Sequence, residues 1–385
     1  MTLNLIADRI VNGKIYPALA QTQECDFDRC YPYTVPLRLQ EYCVEHGVRL
    51  NITDVNSEWP SDAFYPVGLG FFDFGIDYFE LMSERIRTGL FFDNVRVLFY
   101  YHEGDNPWHI KARLDELCTK HNLRDDCYRF VSGNTAAKSL PNFVYFADFE
   151  LWYYQRNRNC LALKIHHEPR ERDFTVLNRL HKSWRALAMT DLRHNGILDN
   201  SYWSYCESGV FADAECPIKI DDISGLRTRT EKFLQSAPYI SDELDFDQRN
   251  NHSTLVPKYH VNSYCNVVME THFDIGGGGT FLTEKTFKPI KHGQMFFIAG
   301  PVGSLQVLRD LGYCVFDSVL DNSYDLEPDP TQRWMALTRS IFFTQPDLPQ
   351  LFDLCRADIE HNQQLFQDNK AQRLNTLIKE INESH

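Results

Sequence analysis

The stretch Met295–Phe316 constrains the fold more than any other part of this 385-residue chain. It runs MFFIA, then Gly300-Pro301-Val302-Gly303, then SLQVLRDLG, then YCVF. A short block of aromatic and branched apolar residues suits a strand buried on both faces. The glycine-proline turn ends it. Ser304 is expected to cap a helix with Leu305, Leu308 and Leu311 on one face, Gly312 to stop that helix, and Tyr313–Phe316 to form the next strand. Strand, glycine turn, helix, strand is the repeating unit of a doubly wound, Rossmann-like α/β fold.

The same rhythm recurs upstream. Val95–Tyr101 (VRVLFYY) reads as a buried strand closed by HEGDNP, and Ile110, Leu114, Leu117 and His121 follow at helical spacing. Tyr128–Ser132, Asn142–Ala147 and Cys160–His166 read as further strands. A second unit starts near Asp173, with a strand Asp173–Leu177, a polar turn Asn178–Ser183, a helix Trp184–His194 stopped near Gly196, and a strand Asn266–Met269. The first ninety residues show no clear period, and Phe352–Ile381 is charged and helical. The expected organisation is an N-terminal α/β domain over 1–168, a Rossmann-like domain over 169–350 and a C-terminal helix over 351–385 packing across.

Lys and Arg total 39 against 53 Asp and Glu, so the net charge of −14 argues against general binding to nucleic acid or anionic membranes while leaving room for a local basic pocket. Aromatic residues reach 14%, which fits either an aromatic core or a cleft for flat ligands. No apolar run approaches the ~20 residues of a membrane span, and no signal peptide is visible. Eleven scattered cysteines, the tightest pairs being Cys25/Cys30 and Cys118/Cys127, read as reduced thiols. The expectation is a cytoplasmic protein, in which the sequons at Asn51 and Asn251 mean little.

Ligands of open parallel sheets bind beyond the carboxyl ends of the strands, where two tandem units imply a crevice. Residues that follow strands are therefore the candidates. Thr283-Glu284-Lys285 opens a helix whose N-terminus offers amides and a positive dipole end. Lys285 supplies a cation for a diphosphate, and Glu284 can accept both hydroxyls of a ribose. An equally good reading makes Glu284 and Lys288 a solvated i,i+4 pair worth ~0.3–0.5 kcal/mol, and Pro289 spoils a regular helix there. Gly276–Gly279 either lets backbone approach phosphate or is a surface loop. His166-His167-Glu168 lacks a third ligand, and neither Asp26-Phe27-Asp28 nor Asp245-Phe246-Asp247 clearly follows a strand, so no metal site is expected.

The order E-T … T-E-K-T-F-K-P-I … G-Q-M-F-F-I-A-G resembles the nucleotide-sugar half of GT-B glycosyltransferases, specifically the α1,3-fucosyltransferase family. Glu270 resembles that family's glutamate upstream of its T-E-K triplet, Thr283-Glu284-Lys285 the triplet, and Gly293 to Gly300 the strand after it. Leu177–Tyr205 is similar to the family's strand, Asn-containing loop and Arg-led helix, with Asn178 and Arg185 in those places. With G-S-L-x-x-L-R-x-L-G-Y at Gly303–Tyr313 and D-x-S-Y-D at Asp321–Asp325, the chain also looks like uncharacterised glycosyltransferases of bacteria and large viruses. The resemblance covers roughly 170–330. It departs in the long glycine-rich spacer between Glu270 and Thr283 and in an N-terminal half without a matching motif.

The resemblance implies a GT-B-like pair of Rossmann-like domains facing a cleft. It also implies a donor site of Asn178, Arg185, Glu270, Thr283, Glu284, Lys285, Lys288 and Gly300, with Arg185 and Lys285 on the diphosphate and Glu284 on the ribose. The implied activity is a hexosyl- or fucosyltransferase of glycan biosynthesis. It would move sugar from a nucleotide-diphosphate donor, GDP-linked donors included, to a carbohydrate or other hydroxyl acceptor. Metal-independent inverting transfer needs a base from the other domain, for which His102, Glu103 and Asp105 are placed after a strand, with Asp148 and Glu150 second. No cofactor is expected beyond the donor. The alternatives are a nucleotide-sugar-modifying enzyme such as an epimerase, or a non-catalytic glycan-binding protein on the same fold.

Overall fold

The computed structural model describes residues 2–7, 9–11, 14–16, 35–69, 72–157, 169–219, 225–240, 256–276, 278–368 and 370–383. The chain forms two compact units, 1–148 with 369–385, and 149–368. The first division therefore falls at Asp148/Phe149, twenty residues before the expected position at 168.

Unit 1 holds a six-stranded sheet in the order β4-β1-β5-β6-β7-β8. The strands are β1 (Leu3–Ala7), β4 (Leu50–Asp54), β5 (Phe64–Leu69), β6 (Arg96–Tyr101), β7 (Tyr128–Ser132) and β8 (Phe143–Tyr145), all paired in parallel. The short strands β2 (Arg9–Val11) and β3 (Lys14–Tyr16) form a separate antiparallel pair. Helices α1 (Val35–Glu45), α2 (Glu84–Phe91) and α3 (Pro107–Lys120) belong to this unit, as does α13 (Lys370–Glu383).

Helix α3 shows how the sequence builds its elements. Asn106 caps it by accepting from the Trp108 amide at 3.0 Å, and Pro107 needs no amide partner in the first turn. Ile110, Leu114, Leu117 and Cys118 then form its buried stripe. The core beneath is aromatic: Phe130 stacks on Phe143 at 4.9 Å between ring centroids, and Phe99, Tyr101 and Phe72 pack around Phe130. In this unit the high aromatic content makes the interior.

Unit 2 holds a four-stranded parallel sheet in the order β10-β9-β11-β12, from β9 (Arg172–Asn178), β10 (Ser201–Tyr205), β11 (Ser263–Met269) and β12 (Met295–Ala299). Its helices are α4 (Asp148–Arg156), which starts at the boundary, α5 (Ser183–His194), α6 (Leu226–Gln235), α7 (Pro257–Val261), α8 (Glu284–His292), α9 (Ser304–Asp310), α10 (Pro330–Thr344), α11 (Leu348–Leu354) and α12 (Arg356–Gln367). Both sheets begin with the second strand outside the first and the third on its other side. This is the doubly wound order in which the chain reverses direction between strands one and three.

Three expectations are corrected here. Tyr313–Phe316 is not a strand. Phe316 has φ +67°, the amide and carbonyl of Cys314 are both taken by the Asn362 side chain at 2.8 Å, and Asn322 donates to the Val315 carbonyl. Side chains thus satisfy a backbone that a neighbouring strand would otherwise pair. Ser304 is not the cap of α9: its hydroxyl donates to the Pro301 carbonyl, while Asp325 accepts from the Leu305 and Gln306 amides. The single C-terminal helix is three helices, and only the last belongs to unit 1.

The described cysteines are free, Cys118 and Cys127 lying 3.4 Å apart as thiols. No described helix is long and apolar enough to cross a membrane. The strand expected at Cys160–His166, the His166-His167-Glu168 triplet, Cys25/Cys30, Asn251 and both Asp-Phe-Asp triplets lie outside the described residues.

Candidate functional site

Strands β9 and β11 are neighbours and flank the point where the strand order of unit 2 reverses. A cavity of about 150 Å³ is lined by the carboxyl ends of these two strands, the turn 179–182, Arg185 of α5, and the first turns of α8. It is where such a fold places its ligand. The lining includes five basic side chains, Arg179, Lys182, Arg185, Lys285 and Lys288, against one carboxylate, Glu284. In a chain of net charge −14 this is a concentrated positive site.

Helix α8 brings most of that charge, and it is an unusual helix. Glu284, Thr286, Phe287, Lys288, Pro289, Ile290, Lys291 and His292 are all buried. A helix buried all round is normally apolar, and buried Lys and Glu require partners or a purpose. Pro289 sits within α8 without ending it, so the break anticipated there is absent. Gly293, at φ +69°, supplies the left-handed residue that ends the helix.

The wall behind the cavity is built around Glu270, which has no exposed surface. Its Oε1 accepts from the Thr283 amide (3.1 Å) and the Thr286 hydroxyl (2.6 Å). Its Oε2 accepts from the Thr271 amide (3.1 Å) and the Thr283 hydroxyl (2.7 Å). Glu270 thereby ties the end of β11 to the N-terminus of α8, supplying the negative charge that a helix start favours. It does not line the cavity. The helix mouth expected to present amides to a diphosphate thus gives the Thr283 amide to Glu270, and turns the Lys285 amide to the Thr283 hydroxyl. Gly300 also lies off the cavity: a Cβ there would stand 2.8 Å from Ser304 Oγ and 3.5 Å from Glu270 Cβ. Its glycine permits the close approach of the β12 turn to Glu270.

Arg185 lines the cavity but is 3% exposed, and its Nη2 donates to the carbonyls of Met269 (3.2 Å) and Glu270 (2.6 Å). Burial lowers its pKa against the opposing effect of Glu270. Lys182 Nζ donates to the Thr271 carbonyl at 2.6 Å. Lys285 is half-buried, its Nζ lying 3.2 Å from Glu284 Oε1 and donating to the hydroxyls of Thr271 and Thr283. Burial works to raise the Glu284 pKa, but Lys285 and Lys288 outweigh it and hold the carboxyl below its usual value. Burial lowers Lys288 to about 8, with Glu284 opposing and Lys285 and Arg179 reinforcing. Asn178, at the last position of β9, is 2% exposed and lines the cavity; neither its Nδ2 nor its Oδ1 has a partner among the described residues.

No protein-family model matches the chain, and no curated protein matches it. Among solved structures it is similar to the DNA-modifying enzyme β-glucosyltransferase, solved in the presence and absence of its substrate uridine diphosphoglucose, with a TM-score of 0.39 and 9% identity over 99% of each chain. A mutant of T4 phage BGT in complex with UDP-glucose gives a TM-score of 0.39 and 10% identity, again over 99% of each chain. At these values the likeness decides nothing about chemistry.

Of the eight residues expected at a donor site, Asn178, Arg185, Glu284, Lys285 and Lys288 line one cavity, with Thr283 as the N-cap behind them. Lys182, His260 and Asn266 also line it and carried no sequence signal as ligands; only their places beside β9 and β11 reveal them. His102, Glu103 and Asp105 follow β6 in unit 1. Tyr101 donates its hydroxyl to Asp105, and His102 Nε2 lies 3.4 Å from Glu103 Oε1. The second-choice pair is buried and engaged: Tyr100 donates to Asp148 (2.7 Å), and Tyr313 donates to Glu150 (2.6 Å) within unit 2. Among the described residues no group of three His, Cys, Asp or Glu side chains forms a metal site.

Proposed function

We propose that the unit 2 cavity binds the diphosphate end of a nucleotide sugar and that the chain is a glycosyltransferase of GT-B type. The observation that carries this is the cluster of five basic side chains around one carboxylate at the strand-order reversal of an otherwise acidic protein. The motif resemblance runs through the same residues and supports it. Lys285, with Arg179 and Lys182 beside it, would hold the phosphates. Glu284, kept ionised by its lysines, would accept from ribose hydroxyls. Arg185 would contribute charge while it braces the carbonyls of Met269 and Glu270.

The cavity is small beside the ~300–1,000 Å³ typical of whole-ligand sites, so it suits one portion of a nucleotide sugar. Positive charge preset around the leaving diphosphate is the electrostatic stabilisation that transfer requires. Glu103 would be the base, since a hydroxyl already claims Asp105. Its carboxylate would take the acceptor hydroxyl's proton as that oxygen attacks the sugar carbon and the diphosphate leaves.

The test is thermal denaturation of the full chain with GDP, UDP, CMP and ADP. One nucleotide at 100 times its Kd should stabilise by ~2.7 kcal/mol. Lys285→Ala should remove most of that shift. Folded protein that responds to none of the four would overturn the reading.

A further inference from the structure

Two members of the cavity lining are uncharged and call for a different chemistry from the basic side chains. Asn178 is buried with both ends of its amide unpartnered among the described residues, although its backbone carbonyl is taken by the Cys206 amide. Such an amide offers donors and an acceptor together. His260 also lines the cavity, and the network fixes its proton. Gln294 Nε2 donates to the Ser263 carbonyl (3.2 Å) and hydroxyl (2.7 Å), so Gln294 Oε1 is the acceptor facing His260. His260 Nδ1 must then carry the hydrogen. Burial lowers the ring to about 4, so it is neutral at pH 7 and its Nε2 is a lone-pair acceptor.

A fully ionised phosphate can accept from Asn178 Nδ2 but has no hydrogen to give to Asn178 Oδ1 or His260 Nε2. A hydroxyl both gives and accepts. We infer that Asn178, assisted by His260, is the specificity-determining part of this cavity, and that it recognises a hydroxyl of a sugar joined to the anion held by the basic side chains. The inference rests on the anion-binding reading above and adds to it the requirement for a polyol. Asn178 is a binding residue whose amide has no hydrogen-bond partner among the described residues and is matched by a ligand group that both gives and accepts a hydrogen.

The experiment compares the full-length wild type with Asn178→Leu, which keeps the forked heavy-atom shape of the side chain and removes both polar ends. Calorimetric titrations use inorganic pyrophosphate, UDP, GDP, their 2′,3′-dideoxy analogues, UDP-glucose and GDP-fucose. Without ligand, Asn178→Leu should melt no lower than wild type. Its affinity for pyrophosphate and the dideoxy diphosphates should stay within about twofold, while at least one hydroxyl-bearing probe should lose about tenfold or more.

An equal loss across all probes, a full loss with the dideoxy compounds, or a clearly lower melting temperature would overturn the inference. These would assign Asn178 to the phosphate, to the base edge, or to the fold. Pyrophosphate binding with no change on any probe would remove this inference alone. A wild type that binds none of the probes would remove the anion reading, and this inference with it.

Discussion

The two sheets share the arrangement of their first strands, yet their carboxyl edges differ in chemistry. In unit 1 several of the groups after β6 and β7 are bonded to one another. Tyr101 donates to Asp105, Asn134 donates to the Gly104 carbonyl at 3.0 Å, and the Asn134 side chain caps the following turn through the Ala136 amide. In unit 2 the matching edge collects lysines and arginines and leaves the Asn178 amide without a partner among the described residues. A hollow of about 270 Å³ in unit 1 is bounded by Phe79, Phe91 and Phe92 near the ends of α2 and α3 rather than at strand ends. Topology offers a place for a ligand; the side chains delivered there decide whether it is used.

That contrast can be broken most sharply at Glu270. Glu270→Ala strands the donors it satisfies and leaves Arg185 uncompensated, so urea denaturation should show a loss of about 3–5 kcal/mol. A loss under ~1 kcal/mol would mean that the wall does not depend on its carboxylate. In unit 1, Glu103→Gln should lower kcat about 100-fold while nucleotide affinity is unchanged. An equal fall in nucleotide affinity would move Glu103 out of the role of base.

Lys288 links the cavity to pH. Its pKa of about 8 lies below the ordinary 10.5. Between those values the unfolded chain holds more protons at this residue than the folded one, so this group makes the ligand-free protein more stable as pH rises through 8 towards 10.5. Over the same range the cation is lost and pyrophosphate affinity should fall several-fold; Lys288→Met should flatten both trends. The smallest effect is expected at Asn106→Ala, away from both edges, which should cost about 1 kcal/mol of unfolding free energy through loss of the α3 cap.

Elements whose apolar runs are continuous were readable directly: β6, β11 and β12 are buried nearly throughout, and α3 carries its cap beside its stripe. Strand β5 was not, because FYPVGL contains Pro66 and Gly68, both strand breakers, within a central strand. Its place comes from distant partners, β1 and β6, that no local pattern shows. Tyr313–Phe316 fails in the opposite sense, since a strand-like run is bonded by side chains from elsewhere.

At the site, Lys285 and Asn178 could be picked out as candidates from chain position and motif. The inward use of Glu270 and Arg185 could not, because it depends on Thr286 and the Met269 carbonyl meeting them in space. His260 precedes a buried strand without any motif, and only the fold gives it a role.

The return of α13 to unit 1 makes the two halves unequal as pieces of polypeptide. Residues 149–368 form one unbroken length containing every side chain of the basic cavity, whereas unit 1 is stitched from two lengths, α13 packing against α1 and β8 and Asn382 donating to the Thr2 carbonyl. In chain order, unit 2 is thus an insert within its companion. Shortening the chain from its carboxyl end would first damage the half that does not hold the cavity.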